Sequence, residues 1–350
     1  MSALDDPAIY ERVDRSNLRD MIERAHEQAR DGWDSGVAWD LAGLERPARV
    51  VVAGMGGSAI GADMVATVAS HSSTVPVHVI RGYELPKTDD ATLVVACSFS
   101  GNTSETLSAF RKASKQGRPC IAITGGGALS EFAESAGHPQ FHYDWDGPPR
   151  TAFGYGLFPL LAILKRLGVI DIADAEVERA IVAIEAGRAA WNSGVPTASN
   201  EAKQIATEIT GRTVVVIGAD FLDAAAGRWA GQLNENAKQW AFHGSLPEAS
   251  HNLVESIASP APGVEPPCAL LLDSPLAHPR TRLQLRGTGE LFEGAEVPHT
   301  QVVAEGESVL ETLVWASYLA DWVSYYVAML RDVDPMTTHN IGTLRSIPVE

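Results

Sequence analysis

The sequence predicts an α/β protein made of two doubly wound parallel-sheet domains, and three observations carry that expectation. Between residues 49 and 143, short β-branched runs alternate with stretches of helical length and pattern. The first of those runs ends in a glycine turn, RVVVAGMGGSAIG at 49–61, the grammar of a strand feeding a crossover helix. After a long helical stretch the alternation resumes at 213 and continues to 303.

Taken in order, the candidate strands of the first half are Arg49–Ala53, Val75–Ile80, Thr92–Ser98, Pro119–Thr124 and a weaker Gln140–Tyr143. Helices are expected over Ile60–Ser70, Ser104–Gln116 and Leu129–Ala136. The turn-rich DWDGPPRTAFGYG at 144–156 interrupts the pattern and marks the domain boundary, giving domains of 1–153 and 154–350. A helical stretch then runs from about Phe158 to Trp191. Thr213–Gly218 reads as a strand leading into a helix over Asp223–Phe242, with further strands at Ala269–Asp273 and Val297–Val303. The two halves follow one plan without a residue-level repeat. SPAPGVEPP at 259–267 is a loop too short to separate domains.

With 350 residues, 45% hydrophobic and 20% charged, the composition is that of a soluble globular protein. A formal net charge of −17 argues against nucleic acid and anionic membranes, which both need a positive field. The acidic N-terminus, MSALDDPAIYERVDR, is not a secretory signal. LVWASYLADWVSYYVAML at 313–330 is the one apolar stretch near membrane length. Ser317, Asp321 and Ser324 share one of its helical faces, so it reads as a buried helix or subunit contact. Cys97, Cys120 and Cys268 are odd in number and lack metal-ligand spacing, and they read as buried thiols of a reducing cytoplasm.

Two loops carry the chemistry. GMGGSA at 54–59 meets the loose dinucleotide pattern G-x-G-x-x-G/A after a strand. An acidic residue should then follow about 20 positions on, where this chain has Arg81, leaving an NADP reading open. That fold does not predict the second loop, VVACSFSGNTSET at 94–106, which gathers hydroxyls around Gly101 and Asn102 with no Lys or Arg. A phosphomonoester accounts for both. Ser58, Ser98, Ser100 and Thr103 can donate hydroxyl hydrogen bonds, while Gly56, Gly57 and Gly101 let backbone N–H groups approach. Helices beginning beside the two loops add N-terminal dipoles, each on the order of 0.3–1 kcal/mol. The bland alternative for SGNTSET is a helix N-cap with a capping box.

GMGGSAIG together with SFSGNTSET resembles the sugar isomerase (SIS) domains, which bind phosphosugars in a flavodoxin-like sheet. The whole chain resembles the bifunctional phosphoglucose/phosphomannose isomerases, which carry two such domains. That resemblance implies a metal-independent aldose–ketose isomerase that interconverts glucose 6-phosphate and mannose 6-phosphate with fructose 6-phosphate through a cis-enediol. It requires no cofactor. In QLNENAKQWAFHGSLPEASHN at 232–252, NENAK resembles the family's base-bearing segment and ASHN its histidine segment. By the resemblance Glu235 is the base and His251 the ring-opening residue. His251 is then expected from the neighbouring subunit of a homodimer. GPPRTAFGY resembles the family's linker arginine motif, which puts Arg150 over the developing enediolate charge. The tail VDPMTTHNIGTLRSIPVE resembles the segment where a Thr and a Lys approach the sugar. Thr338 matches the threonine, but Arg345 stands in the lysine position, and Arg lacks the compact ammonium donor.

A carboxylate suits the proton shuttle and a histidine suits ring opening near neutrality, whatever the family. The 16-residue separation of Glu235 and His251 assigns neither role by itself. A phosphosugar-binding regulator without catalysis is the alternative from another class. His138 and His142 are four apart, but HPQFH contains Pro and enters a strand, so no metal site is expected there.

Overall fold

The computed structural model describes every residue except 1, 42, 260, 262, 346 and 348–350, and all but the side chain of Arg345. The chain folds into two compact units, each around its own all-parallel sheet. One comprises Arg24–Glu185 with Gly306–Val314; the other comprises Met1–Glu23, Ala186–Glu305 and Trp315–Glu350. The expected boundary at 153/154 falls within the first of these units, where the helix Phe153–Arg166 begins.

The first sheet contains β1 (Arg49–Gly54), β2 (Val77–Ile80), β3 (Thr92–Ser98), β4 (Cys120–Thr124) and β5 (Gln140–His142), in the order β2-β1-β3-β4-β5. This is the flavodoxin-like order, whose direction reverses between β1 and β3. Both faces of β1, β3 and β4 are buried, hence the near-continuous apolar runs in their sequences. On one face Val51, Val94, Ala96, Cys120 and Ala122 pack against Phe110 and Ala113 of the helix Ser104–Lys115 and against Leu129 and Ala133 of the helix Gly127–Ala136. Full burial of a side chain such as Phe110 contributes about 1.5–3 kcal/mol.

The second sheet contains β6 (Val214–Ala219), β7 (Ala241–Leu246), β8 (Cys268–Asp273) and β9 (His299–Val303), ordered β7-β6-β8-β9. That is the first sheet's order short of one edge strand, so the two copies of one plan are present as expected.

Three elements differ from expectation. The helix expected from Ile60 begins at Gly56 and runs to Ser72, which puts Gly56, Gly57 and Ser58 in its first turn rather than in a loop. The single stretch expected over 158–191 is two helices, Phe153–Arg166 and Asp174–Trp191, because Gly168 turns the chain at φ +69°. The helix expected over Asp223–Phe242 stops at Ala237, and Ala241–Leu246 is instead strand β7. Lys238 takes the left-handed conformation there (φ 51°), and the chain turns to pair with β6, Val214 against Ala241 through Ala219 against Leu246.

Among the described residues no helix is long and apolar enough to cross a membrane. Ser317, Asp321 and Ser324, the polar stripe of the helix Val309–Leu330, are all buried. Asp321 accepts two hydrogen bonds from Arg228 (2.7 and 2.8 Å) and one from Gln232 (2.6 Å), and Ser324 accepts one from Asn236 (3.0 Å). The stripe is therefore the mate of a polar face on the helix Asp223–Ala237.

The three cysteines are free and buried. Burial pushes the thiols of Cys97 and Cys120 up to about 12 and that of Cys268 up to about 11. Only the thiolate attacks a disulfide reagent, so at pH 8 all three should be silent. Ellman's reagent is expected to titrate less than one thiol in native protein and three after denaturation. A rapid native reaction would contradict the burial of these side chains.

Candidate active site

The glycine turn and the hydroxyl loop leave neighbouring strands at the same edge. β1 and β3 pair in parallel, Arg49 opposite Thr92 through Gly54 opposite Cys97, so their carboxyl ends stand side by side at the point where strand order reverses. Open α/β sheets bind ligands at that position.

From β1 the chain passes Met55 and enters the helix Gly56–Ser72, with Gly56 at φ +51°. The Met55 cap supplies no side-chain hydrogen bond to the first-turn N–H groups. Ser58 is half-buried in that turn. Gly57 is required by a close approach: a Cβ there would lie 3.0 Å from the Pro149 carbonyl oxygen and 3.3 Å from Arg150 Cα. The 3-10 turn Pro149–Thr151 thus rests directly on the helix start, and Arg150 in it is only 4% exposed. A guanidinium that far out of water needs partners or an anion.

From β3 the buried Ser98 donates to Thr103 Oγ1 (3.0 Å), and Gly101 N–H closes a turn onto the Ser98 carbonyl (3.1 Å). Thr103 is the N-cap of the helix Ser104–Lys115, yet its side chain makes no capping bond. The capping-box alternative for this loop is therefore not what its hydroxyls do. Ser100 is exposed, and its hydroxyl accepts from Asn102 N–H at 3.3 Å. The first unit thus places Gly56, Gly57, Ser58 and the backbone of Arg150 after one strand end and Ser98, Ser100 and Thr103 after the neighbouring one. Two uncapped helix starts with hydroxyls between them can hold a phosphate dianion without a lysine.

Sequence reasoning missed the brace behind this loop. Asn102 donates to the Ser100 carbonyl (3.0 Å) and accepts from Ala128 N–H (3.1 Å), while Leu129 N–H donates to the Gly101 carbonyl (2.9 Å). Gly101 sits so close to the Gly126 carbonyl that any Cβ would collide with it. The run GGG at 125–127 was the available signal. Phe99 stacks on Tyr143 at 5.9 Å, and Tyr143 on Tyr155 at 4.9 Å, which anchors the loop from the apolar side. Arg81, the residue an NADP reading needs, is ion-paired to Asp63 within the same unit.

The second unit holds the remaining candidates. Glu235 is half-buried in the last turn of the helix Asp223–Ala237. On one side of it Asn234 exchanges two hydrogen bonds with the Ala241 backbone (2.9 and 3.0 Å), and on the other Asn236 holds Ser324. His251 is exposed at the end of the 3-10 turn Glu248–His251. The helix precedes β7 and this turn follows it, so Glu235 lies by the amino edge of the sheet and His251 leaves from the carboxyl edge. Six residues of strand, about 17–20 Å, run between them. The second unit does not bring these two side chains together. Thr338 is half-buried immediately before the helix His339–Arg345, whose last residue, Arg345, has its side chain outside the described residues.

At its carboxyl edge the second sheet carries carboxylates where the first carries hydroxyls. Asp220 follows β6, and the buried Asp273 ends β8, holding Arg282 (2.9 and 3.1 Å), Ser274 N–H (2.8 Å) and Gln301 (3.2 Å).

Among the described residues no three His, Cys, Asp or Glu side chains are grouped to hold a metal. His138 pairs with Ser114 (2.7 Å) and His142 with Asp144 (3.2 Å).

Comparison with known proteins finds a separate match in each half of the chain. Residues 43–138 match the SIS domain, and residues 198–347 match the bacterial phospho-glucose isomerase C-terminal SIS domain. A bifunctional phosphoglucose/phosphomannose isomerase of Caldicellulosiruptor bescii is 32% identical over 332 residues, covering 94% of this chain and 96% of that protein. One of Aquifex aeolicus is 32% identical over 300 residues, covering 85% and 89%. The crystal structure of a putative phosphosugar isomerase from Clostridium difficile superposes with a TM-score of 0.68 at 13% identity, covering 95% and 99%, a likeness of fold alone.

Proposed function

The chain belongs to the bifunctional phosphoglucose/phosphomannose isomerase family, and from that premise we propose that it interconverts glucose 6-phosphate and mannose 6-phosphate with fructose 6-phosphate, through a cis-enediol and without a metal. The observation that carries the phosphosugar reading is the pair of uncapped helix starts at adjacent strand ends, lined by Ser58, Ser98, Ser100 and Thr103. Gly56, with nothing within 4 Å of a Cβ built on it, leaves room for the phosphate at the first of them, and Gly57 lets the Arg150 turn approach it.

In this reading His251 donates a proton to the ring oxygen as the C1 hydroxyl loses one, which opens the sugar. The Glu235 carboxylate then removes the C2 proton while the C1 oxygen gains one, and it returns its proton to C1 as the C2 oxygen becomes the carbonyl. A carboxylate at the rim of the interior suits such a shuttle. Arg150 stabilises the negative charge that develops on the enediolate oxygens, a contribution of about 2.7–4 kcal/mol for one well-placed donor. Thr338 contacts the sugar hydroxyls. Glucose and mannose 6-phosphates share one enediol once C2 is deprotonated, so one base serves both.

The reading also makes the working enzyme a homodimer, with His251 supplied across the interface. Support comes from the opposite-edge placement of Glu235 and His251, which the C1–C2 end of a single hexose cannot bridge. Trp240 (72% exposed) and Phe242 (53% exposed) make an apolar pair at edge strand β7, on the segment that leads to His251. A cytoplasmic location is in keeping with three buried cysteines that are not joined in a disulfide.

The test is to incubate purified protein with each hexose 6-phosphate in D2O containing EDTA. Interconversion with deuterium entering at C2 is the expected result. Binding without exchange would make the protein a phosphosugar-dependent regulator, and loss of activity to the chelator would end the metal-free mechanism.

A further inference from the structure

Lys238 is used in a way that ending a helix does not require. It stands immediately after the helix Asp223–Ala237 in the left-handed conformation, φ 51° and ψ 35°, and its backbone N–H donates to the Leu233 carbonyl. That backbone bond is already a complete helix stop, and glycine makes it without steric cost. The side chain does something more. Its ammonium donates to the carbonyl oxygens of Glu235 (2.9 Å) and Asn236 (3.2 Å), two of the orphan acceptors of the last turn, and to that of Asp334 (2.7 Å).

Asp334 belongs to another segment, 96 residues on in the sequence. Its carboxylate accepts from Met336 N–H (2.8 Å) and its carbonyl also accepts from Thr337 Oγ1 (3.2 Å). The turn so formed delivers Thr338. One half-buried ammonium therefore ties the main chain of Glu235 to the turn that presents Thr338, both within the second unit.

We infer that Lys238 is a positioning residue for the isomerisation, holding the Glu235 carboxylate and the Thr338 segment in one fixed frame. This rests on the function proposed above. It does not touch the sugar in this account; it acts through the main chain of the base. The three carbonyls it holds are main-chain groups, so a left-handed residue without an ammonium preserves the helix stop and loses the tie.

The experiment compares wild type with Lys238→Gly and Lys238→Arg, using fructose 6-phosphate as substrate and following kcat, KM, melting temperature and the isotope effect at the labelled carbon. Displacing a catalytic group by about 1 Å can cost on the order of 10²-fold. Lys238→Gly is thus expected to lower kcat about 10- to 100-fold while KM stays within about threefold, because phosphate capture is untouched. The isotope effect on kcat should rise as proton transfer becomes limiting, and Lys238→Arg should recover part of the loss. If Lys238→Gly does not fold, Lys238→Asn replaces it, since Asn also tolerates the left-handed region. An unchanged kcat in the glycine or asparagine variant overturns the inference alone, as does a fall in melting temperature with kcat per folded molecule preserved. A wild type without turnover overturns the functional reading and this inference with it.

Discussion

Glu235→Gln is expected to lower kcat by on the order of 10²–10⁴-fold while KM changes by no more than a few fold. The substitution keeps the shape of the side chain and removes the basic oxygen. Glu235 makes its helix hydrogen bonds through the main chain, and Asn234 and Asn236 hold the turn on either side, so the fold should be retained. Phosphate contacts on the first unit dominate substrate capture in the proposed mechanism, which is why the loss should sit in kcat. Deuterium exchange at C2 must fall in parallel with turnover. Near-normal exchange in a variant that still binds fructose 6-phosphate would remove Glu235 from the chemistry. Glu235→Asp, which withdraws the carboxylate by one methylene, should fall between the two.

How far the sequence disclosed this arrangement differs between the two sheets. β1, β3 and β4 are apolar on both faces and bounded by Gly, Pro or hydroxyl residues, so each run reads as a strand almost to the residue. The glycine turn and the hydroxyl loop were legible as strand ends for the same reason, since each follows such a run, although the first turns out to be the opening turn of a helix. β7 was not. AFHGSL alternates weakly, contains a glycine, and follows NENAKQW, whose composition is helical. The helix ends without a glycine or proline, at a lysine held left-handed by contacts that include Asp334, far along the chain. Missing β7 also hid the separation of Glu235 and His251 to opposite sheet edges. The Asn102 brace and the Gly101–Gly126 approach are tertiary and have no local pattern beyond three consecutive glycines. Near-membrane hydropathy at 313–330 misleads only until its Ser–Asp–Ser stripe is read as one face, which the structure pairs with Arg228, Gln232 and Asn236.

That stripe carries the other large expectation, on stability rather than rate. Arg228 and Asp321 are 3% and 5% exposed at the side chain, joined by two hydrogen bonds, with Gln232 on the same carboxylate. Burial pushes the Asp321 carboxyl up, and the Arg228 guanidinium and the Gln232 amide draw it part of the way back down. Asp321→Ala leaves a guanidinium in the interior without its counter-charge and should cost about 3–5 kcal/mol in urea unfolding. Arg228→Met with Asp321→Leu removes both charges and should recover most of that loss, because two apolar side chains of similar volume have nothing to desolvate. The interaction energy from the full cycle would then be large and favourable. A single Asp321→Ala variant as stable as wild type would mean that water reaches Arg228, contrary to its burial. Should the double variant match wild-type stability yet lose turnover, the pair's purpose is to set the register of the helix that bears Glu235, since Arg228, Gln232 and Asn236 lie at four-residue steps along it and Glu235 is the neighbour of the last.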